Sequence, residues 1–241
     1  MVNDFKNRKI LLVVAHPDDE VLGLGATMHR LIHEQNCEVH VVILGEGITS
    51  RLDSRDVNKW EKELEIHKEN IQSAKKAIGF HSVKTFDFPD NRFDTVPLLD
   101  IIKTVEHEKN AFKPEIIFTH HGGDVNIDHQ RTFEAVVTAC RPLTQETVRT
   151  IISFETPSGT EWRASSDPKH FLPNLFYEVS EKDVKAKILA MESYEFEKRA
   201  YPHPRSPEAL KIQAQRWGIV IGCDLAEAFC LVRSVQIAVK K

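Results

Sequence analysis

At 241 residues with 41% hydrophobic content, the chain is long enough for one α/β unit with a sizeable core. Its net charge of −4, with 32 Lys and Arg scattered along the sequence, argues against a nucleic-acid surface, which needs a basic stripe. No apolar run approaches the length of an integral membrane segment, and residues 1–9 lack the apolar core and small-residue cleavage site of a signal peptide.

Ile10-Leu11-Leu12-Val13-Val14 reads as a buried parallel strand. A helix is predicted over 21–35, with Leu22, Met28, Leu31 and Ile32 at helical spacing. Between them lies Ala15-His16-Pro17-Asp18-Asp19-Glu20, at the strand's carboxyl end, where open α/β sheets bind ligands. One His and three carboxylates so close together repel unless a cation neutralises them. A divalent metal would do so, with His16 and Asp19 as nitrogen and oxygen ligands and Asp18 left to take a proton from a water. The same residues also read as a helix start, with Asp18 or Asp19 as N-cap and Glu20 favoured by the helix dipole.

A second strand is predicted at 37–44, a charged amphipathic helix at 60–78 ended by Gly79, a third strand at 83–88 and a helix at 96–107. A fourth strand at 115–119 leads into His120-His121-Gly122-Gly123-Asp124-Val125-Asn126-Ile127-Asp128-His129. A helix over 130–141 follows, with Phe133, Val136, Val137 and Cys140 on its apolar face. Both polar clusters fall at strand carboxyl ends, which share one edge of a parallel sheet. His129 can therefore approach His16 and Asp19 and complete a three-ligand site with an open position.

Beyond Pro142 the pattern loosens into strands at 148–155 and 175–179, two helices and a last strand near 228–232. The alternation predicts a mostly parallel sheet with right-handed crossovers and helices on both faces, residues 1–241 forming a single domain. Cys37, Cys140, Cys223 and Cys230 form no CxxC pair and read as buried free thiols in a reducing cytoplasm. Gly23 and Gly25 make a non-catalytic nucleotide-binding module the weaker alternative, because they follow an acidic cluster and lack the G-x-G-x-x-G pattern.

The AHPDDE element at 15–20, followed much later by Asp128-His129, resembles the LmbE-like, or PIG-L, family of zinc-dependent N-acetylglucosaminyl de-N-acetylases. The resemblance runs from residue 9 to about 232, since His203-Pro204-Arg205-Ser206 and Ala226-Glu227-Ala228-Phe229 are similar to the segments with which the family tends to end. It implies an LmbE-like, Rossmann-like three-layer α/β fold with its core at about 9–232. It further implies Zn2+ held by His16, Asp19 and His129, with Asp18 as general base; Fe2+ suits the same donors.

The implied activity is hydrolysis of an N-acetyl group from an N-acetylated amino sugar or its conjugate, with release of acetate. The alternative is an amidohydrolase acting on a non-sugar N-acyl substrate such as a thiol conjugate or antibiotic. Many family members read HPDH at the second motif, with the leading His helping to stabilise the oxyanion, whereas this chain has Asn126-Ile127-Asp128-His129. Asn126, His121 and His203 are the candidate donors. His203 stands ahead of Asn126, because a protonated imidazole stabilises negative charge better than a neutral amide.

Asp128 is expected to orient a neighbouring His or ligand. By resemblance, Arg51 after the second strand and Asp94 after the third are sugar contacts, although Asp94 also reads as a helix cap. Trp162 reads either as a stacking residue at the rim or as core. His29 and His33 stand four apart on one helix, but no acidic strand end lies beside them, and no second metal site is read there. The expected partner is a small-molecule N-acetyl sugar, with a homo-oligomer left open.

Overall fold

Strand β1 (Lys9–Val14) sends alternate side chains into two different cores, which sets the layering of the molecule. Ile10, Leu12 and Val14 join one apolar cluster, Leu11 and Val13 the other. These five side chains are essentially inaccessible to solvent, each burial stabilising the fold by about 1.5–3 kcal/mol. The computed structural model describes residues 5–51 and 55–236; the Met1–Asp4 stretch read above as lacking a signal peptide lies outside them.

The remaining strands are β2 (Glu38–Gly45), β3 (Ser82–Phe88), β4 (Ile116–His120), β5 (Thr150–Phe154), β6 (Leu175–Glu178) and β7 (Ala226–Ser234). They form one sheet in the order β3-β2-β1-β4-β5-β7-β6. Strands β1 to β5 are parallel to their neighbours in that run, and β7 is antiparallel to both β5 and β6. Helices α2 (Gly25–Gln35), α3 (Glu61–Ile78) and α6 (Glu181–Glu192) cover one face through Met28, Leu31, Ile71, Ile78 and Met191. Helices α4 (Leu98–Phe112) and α5 (Ile127–Ala139) cover the other through Ile101, Val105, Ala135 and Val136. The mostly parallel, three-layer architecture expected from the alternation is thus present. Helix α7 (Pro207–Ile221) closes the β6–β7 end through Trp217 and Ala228.

Strand order reverses between β1 and β4: the chain builds outward from β1 to β2 and β3, then returns to place β4 and β5 on the other side. The carboxyl ends of β1 and β4 therefore flank the crevice at which such sheets bind ligands.

Three helix boundaries differ from the sequence reading. The helix expected over 21–35 is broken into a single turn, α1 (Asp19–Leu22), and α2. The chain leaves helical geometry at Leu24, where φ is −155° and ψ 17°. A Cβ on Gly23 would stand 2.1 Å from the Phe154 ring, so Gly23 serves close approach of the backbone to β5 and not a phosphate loop. Helix α5 begins at Ile127, because the Asn126 side chain accepts from the Asp128 amide at 2.8 Å and caps it there. Helix α4 runs from Leu98 to Phe112, longer than its apolar spacing suggested, and ends where Lys113 turns left-handed at φ 55°.

All four cysteines are free; Cys37 and Cys140 are buried, Cys223 and Cys230 half-buried. Among the described residues, no helix is long and apolar enough to cross a membrane.

Candidate active site

Beyond β1 the chain bends at Pro17, and Asp18 adopts φ 101°, a left-handed conformation that costs a non-glycine residue roughly 1–3 kcal/mol and must be held by its surroundings. Glu20 helps to hold it. Its Oε2 accepts from the Asp18 amide at 3.0 Å, and its Oε1 accepts from the Tyr194 hydroxyl. Burial raises the Glu20 carboxyl to about 7. The third acid of the motif thus stands in the first turn of α1, as the helix-start reading has it, and is also a buried brace beneath the bend.

The bend separates the two aspartates. Asp19 is fixed by the His16 amide, which donates to Oδ2 at 2.8 Å. That same oxygen lies 3.4 Å from His16 Nδ1 and 3.4 Å from His129 Nε2. Donors about 2.1 Å from a tetrahedral cation stand about 3.4 Å apart, so these spacings match two edges of such a site. One donor atom from each of His16, Asp19 and His129 lies within 4.8 Å of the other two, and the two-imidazole, one-carboxylate set suits zinc or ferrous iron.

The other ring nitrogens are backed by carboxylates. His16 Nε2 lies 2.9 Å from Asp128 Oδ2, while Asp128 Oδ1 accepts from the Phe93 amide at 2.8 Å. His129 Nδ1 lies 3.2 Å from Asp124 Oδ2, an ion-pair distance without the geometry of a hydrogen bond. The Asp128 contact orients the His16 ring so that Nδ1 is left toward Asp19 and His129, where a cation could be held.

The electrostatics are those of a hole for a cation. Burial would lower His129, but the Asp19 and Asp124 carboxylates outweigh it and raise the ring to about 9. Burial likewise opposes the rise at His16, which Asp128 and Asp19 drive well above its ordinary value. Asp19 is held well below the carboxylate range, because the neighbouring histidines overcome its burial.

His120 is a neighbour of this cluster and not a fourth donor. Its Nε2 accepts from the Ala15 amide at 2.9 Å, its Nδ1 meets Thr156 Oγ1 at 3.0 Å, and burial lowers it to about 4. It stacks on His129 at 3.9 Å, with 7° between the rings.

These groups open into a cleft of about 120 Å3. His16, Asp18, Asp19, Arg51, Asn126 and His129 all line it, so six of the residues singled out in the sequence come together. Asp128 lies beneath them, fully buried. Burial pushes the Asp18 carboxyl well up, against the pull of Arg205.

Four others are placed elsewhere, His121 among them. Asp94 is exposed on a short 3-10 turn, Phe93–Thr95, and does not line the cleft. Asp90 does, with Oδ2 accepting from the Ser50 amide and Oδ1 lying 3.3 Å from His16 Nε2. His203 does not line the cleft either; its Nδ1 accepts from the Arg205 amide at 3.2 Å, and burial together with Arg205 lowers its pKa, which disfavours the cation expected there. Trp162 is 59% exposed and off the cleft, whereas Thr156, Pro157 and Ser158 of the same loop line it.

Sequence reasoning missed Arg205, Glu197, Asp90 and His67, which also line the cleft. Arg205 sits inside the 203–206 segment and Asp90 four residues before Asp94, so both had a signal nearby; Glu197 and His67 had none. His67 is a buried imidazole on α3 with neither nitrogen partnered, lowered by burial to about 4.

A doubly wound sheet with a two-histidine, one-aspartate cluster at its switch point defines a class of α/β proteins whose ligand crevice could hold a metal ion. Within that class, residues 11–140 match the PIG-L family, described as GlcNAc-PI de-N-acetylase, and the chain belongs to it. It is 28% identical over 194 residues to the "Uncharacterized deacetylase YaiS" of Escherichia coli K12, covering 78% of this chain and 91% of that protein. It is also 28% identical over 143 residues to a Bacillus cereus protein described as "Probable N-acetyl-alpha-D-glucosaminyl L-malate deacetylase 2", covering 58% of this chain and 64% of that one. In structure it resembles the zinc-inhibited form of teicoplanin deacetylase Orf2, with a TM-score of 0.73 at 14% identity over 95% of this chain and all of that one.

Proposed function

We propose that this chain is a metal-dependent hydrolase that removes an N-acetyl group from an N-acetylated amino sugar or its conjugate and releases acetate. The observation that carries the reading is the pairing of a three-donor cluster with a separately oriented carboxylate, Asp18, in one cleft. Family membership and a relative described as acting on an N-acetylglucosaminyl malate supply the amino-sugar chemistry. Four free cysteines suit a reducing cytoplasm.

His16, Asp19 and His129 would hold the cation, Zn2+ first and Fe2+ second. Bound there, it supplies Lewis acidity that polarises the amide carbonyl and makes water a better nucleophile. Asp18 takes the proton of the attacking water as the new C–O bond forms and the carbonyl π pair moves onto oxygen. It then returns that proton to nitrogen as the C–N bond breaks, so the amine leaves neutral. Asp128 keeps His16 oriented throughout, and the Asp124 carboxylate stands at ion-pair distance from His129. Arg51 stands at the cleft edge, tied to the Phe196 carbonyl and to Glu197, where it would contact the sugar or its aglycone.

The reading is tested by metal analysis of freshly purified protein beside an acetate-release screen. Because the Orf2 structure is of a zinc-inhibited form, the assay starts from protein as isolated and not from added zinc. About one metal per chain is expected for a single three-ligand site, with acetate from N-acetylglucosaminyl conjugates. Acetate released only from acylated thiols or antibiotics would favour the amidohydrolase alternative, and release from none of them would remove the enzyme reading.

A further inference from the structure

Arg205 reaches the cleft from the start of α7 and is held there at three points. Its Nε donates to Ser158 Oγ at 2.8 Å, and its Nη1 donates to Asp18 Oδ2 at 2.9 Å and to Glu197 Oε2 at 2.5 Å. A guanidinium carries five N–H donors in a rigid planar fork. These bonds use the one on Nε and both on Nη1. Nη2 keeps its two, makes no hydrogen bond to any described residue and is not sealed from solvent.

We propose that Arg205 is a catalytic residue whose Nη2 donates to the amide oxygen as it becomes negative in the tetrahedral transition state. The inference rests on the amide-hydrolase reading above. Reach supports it: the attacking water must stand within hydrogen-bond distance of Asp18, about 2.8 Å, and the carbonyl it attacks lies at about 3–3.5 Å from that water. A guanidinium already bonded to the same carboxylate is therefore beside the reacting carbonyl. Its planar fork is fixed in advance, which is what an oxyanion donor requires.

The other donors considered are weaker or stand outside the cleft. Asn126 accepts from the Asp128 amide and donates one of its two Nδ2 hydrogens to Asn91 Oδ1 at 2.9 Å, so it is held by the helix cap with one neutral N–H left, a weaker partner for a developing oxyanion than a guanidinium. His121 Nε2 pairs with the Lys169 carbonyl at 2.8 Å, outside the cleft lining. His203 acts one step back, accepting the Arg205 amide and so helping to place the guanidinium. When Asp18 receives the water's proton, one of the two negative charges facing Arg205 is neutralised as charge appears on the substrate oxygen. The attraction then strengthens along the reaction coordinate, which raises kcat rather than ground-state affinity.

The test compares wild type, Arg205→Lys and Arg205→Ala for kcat, KM and metal content, and for affinity toward a tetrahedral methylphosphonamidate analogue of the best substrate. Arg205→Lys keeps the charge and loses the fork. It should lower kcat by about 10²-fold with KM and metal content within a few-fold, and weaken the analogue by the same factor. Added guanidine should restore part of the Arg205→Ala activity.

A KM increase with kcat unchanged would make Arg205 a ground-state contact and overturn the proposal. A kcat loss with analogue affinity intact would reduce it to a holder of Asp18, and overturns it too. Should Arg205→Lys not fold, Ser158→Ala loosens the Nε anchor instead and should lower kcat and analogue affinity alike by about 10-fold; no change in either overturns the proposal. Wild-type protein that binds metal but releases no acetate from any substrate removes the hydrolase reading and this one with it, whereas an active wild type with unaffected variants removes this one alone.

Discussion

Asp128 Oδ2 lies 2.9 Å from His16 Nε2, so the carboxylate that precedes one donor histidine in sequence orients the other across the crevice. This contact joins the carboxyl end of β1 to the first turn of α5. Asp128→Asn keeps the shape of the side chain but weakens the charged partner of the ring, and outer partners of this kind contribute 10–100-fold in metal affinity. Competition with a chelator of known affinity should show a loss of about that size. Unchanged affinity would mean that His16 is oriented by Asp90 or by packing instead.

The three donors themselves leave no redundancy, because His120 Nε2 is occupied by the Ala15 amide and cannot step in. His16→Ala, Asp19→Ala and His129→Ala should each lose metal and turnover together. Elemental analysis after gel filtration decides it, and a variant that retains its full metal complement removes that residue from the site.

The proposed donors were legible in the sequence because His16 and Asp19 directly follow the apolar run of β1 and His129 follows that of β4 by one loop, so both groups fall on the same edge of a parallel sheet. What was illegible depends on contacts between distant segments. Arg205 meets Asp18 across 187 positions, and no local pattern announces that. The tight approach of Gly23 to the Phe154 ring is likewise a contact between distant segments, and the local spacing of apolar residues around it is that of an unbroken helix, although the chain departs from helical geometry at Leu24. Asp94 and Asp90 both follow β3, and only the 3-10 turn at Phe93–Thr95, held by the Asp128 carboxylate through the Phe93 amide, decides which one faces the cleft.

Asp18 is expected to matter for turnover and not for metal. Its side chain is 2% exposed and bonded to Arg205, and its neighbour Asp19 carries the donor oxygen. Asp18→Asn should keep the wild-type metal content and lower kcat by roughly 10²-fold or more, as for loss of a positioned base. Near-normal turnover would place the base elsewhere.

Asn126 now has a structural task, capping α5 through the Asp128 amide. Asn126→Ala should therefore cost about 1 kcal/mol of stability, read from urea unfolding, and should lower kcat less than Arg205→Lys does. A kcat loss equal to or larger than that of Arg205→Lys, with stability unchanged, would return Asn126 to the reacting oxygen.

The pH dependence of stability offers a prediction away from the cleft. Glu155 is buried at the end of β5, where its Oε1 accepts from Trp217 Nε1 and the Lys187–Glu227 ion pair lies close by. Burial raises its carboxyl from the ordinary 4.5 to about 7, the Trp217 bond and Lys187 pulling the other way. Between those values the folded chain holds a proton that the unfolded chain has released, so folding stability falls as pH rises. The contribution is fully present below 4.5 and gone above about 7, amounting to at most about 3 kcal/mol at 1.36 kcal/mol per unit. Glu155→Gln keeps an acceptor for Trp217 and has no proton to lose. Urea unfolding at intervals from pH 4 to pH 8 should therefore show the variant gaining on wild type across that window, with the two curves parallel on either side of it and the gain retained at the alkaline end. Stability curves that stay parallel throughout would mean that Glu155 is ionised in the folded protein, neutralised by Lys187.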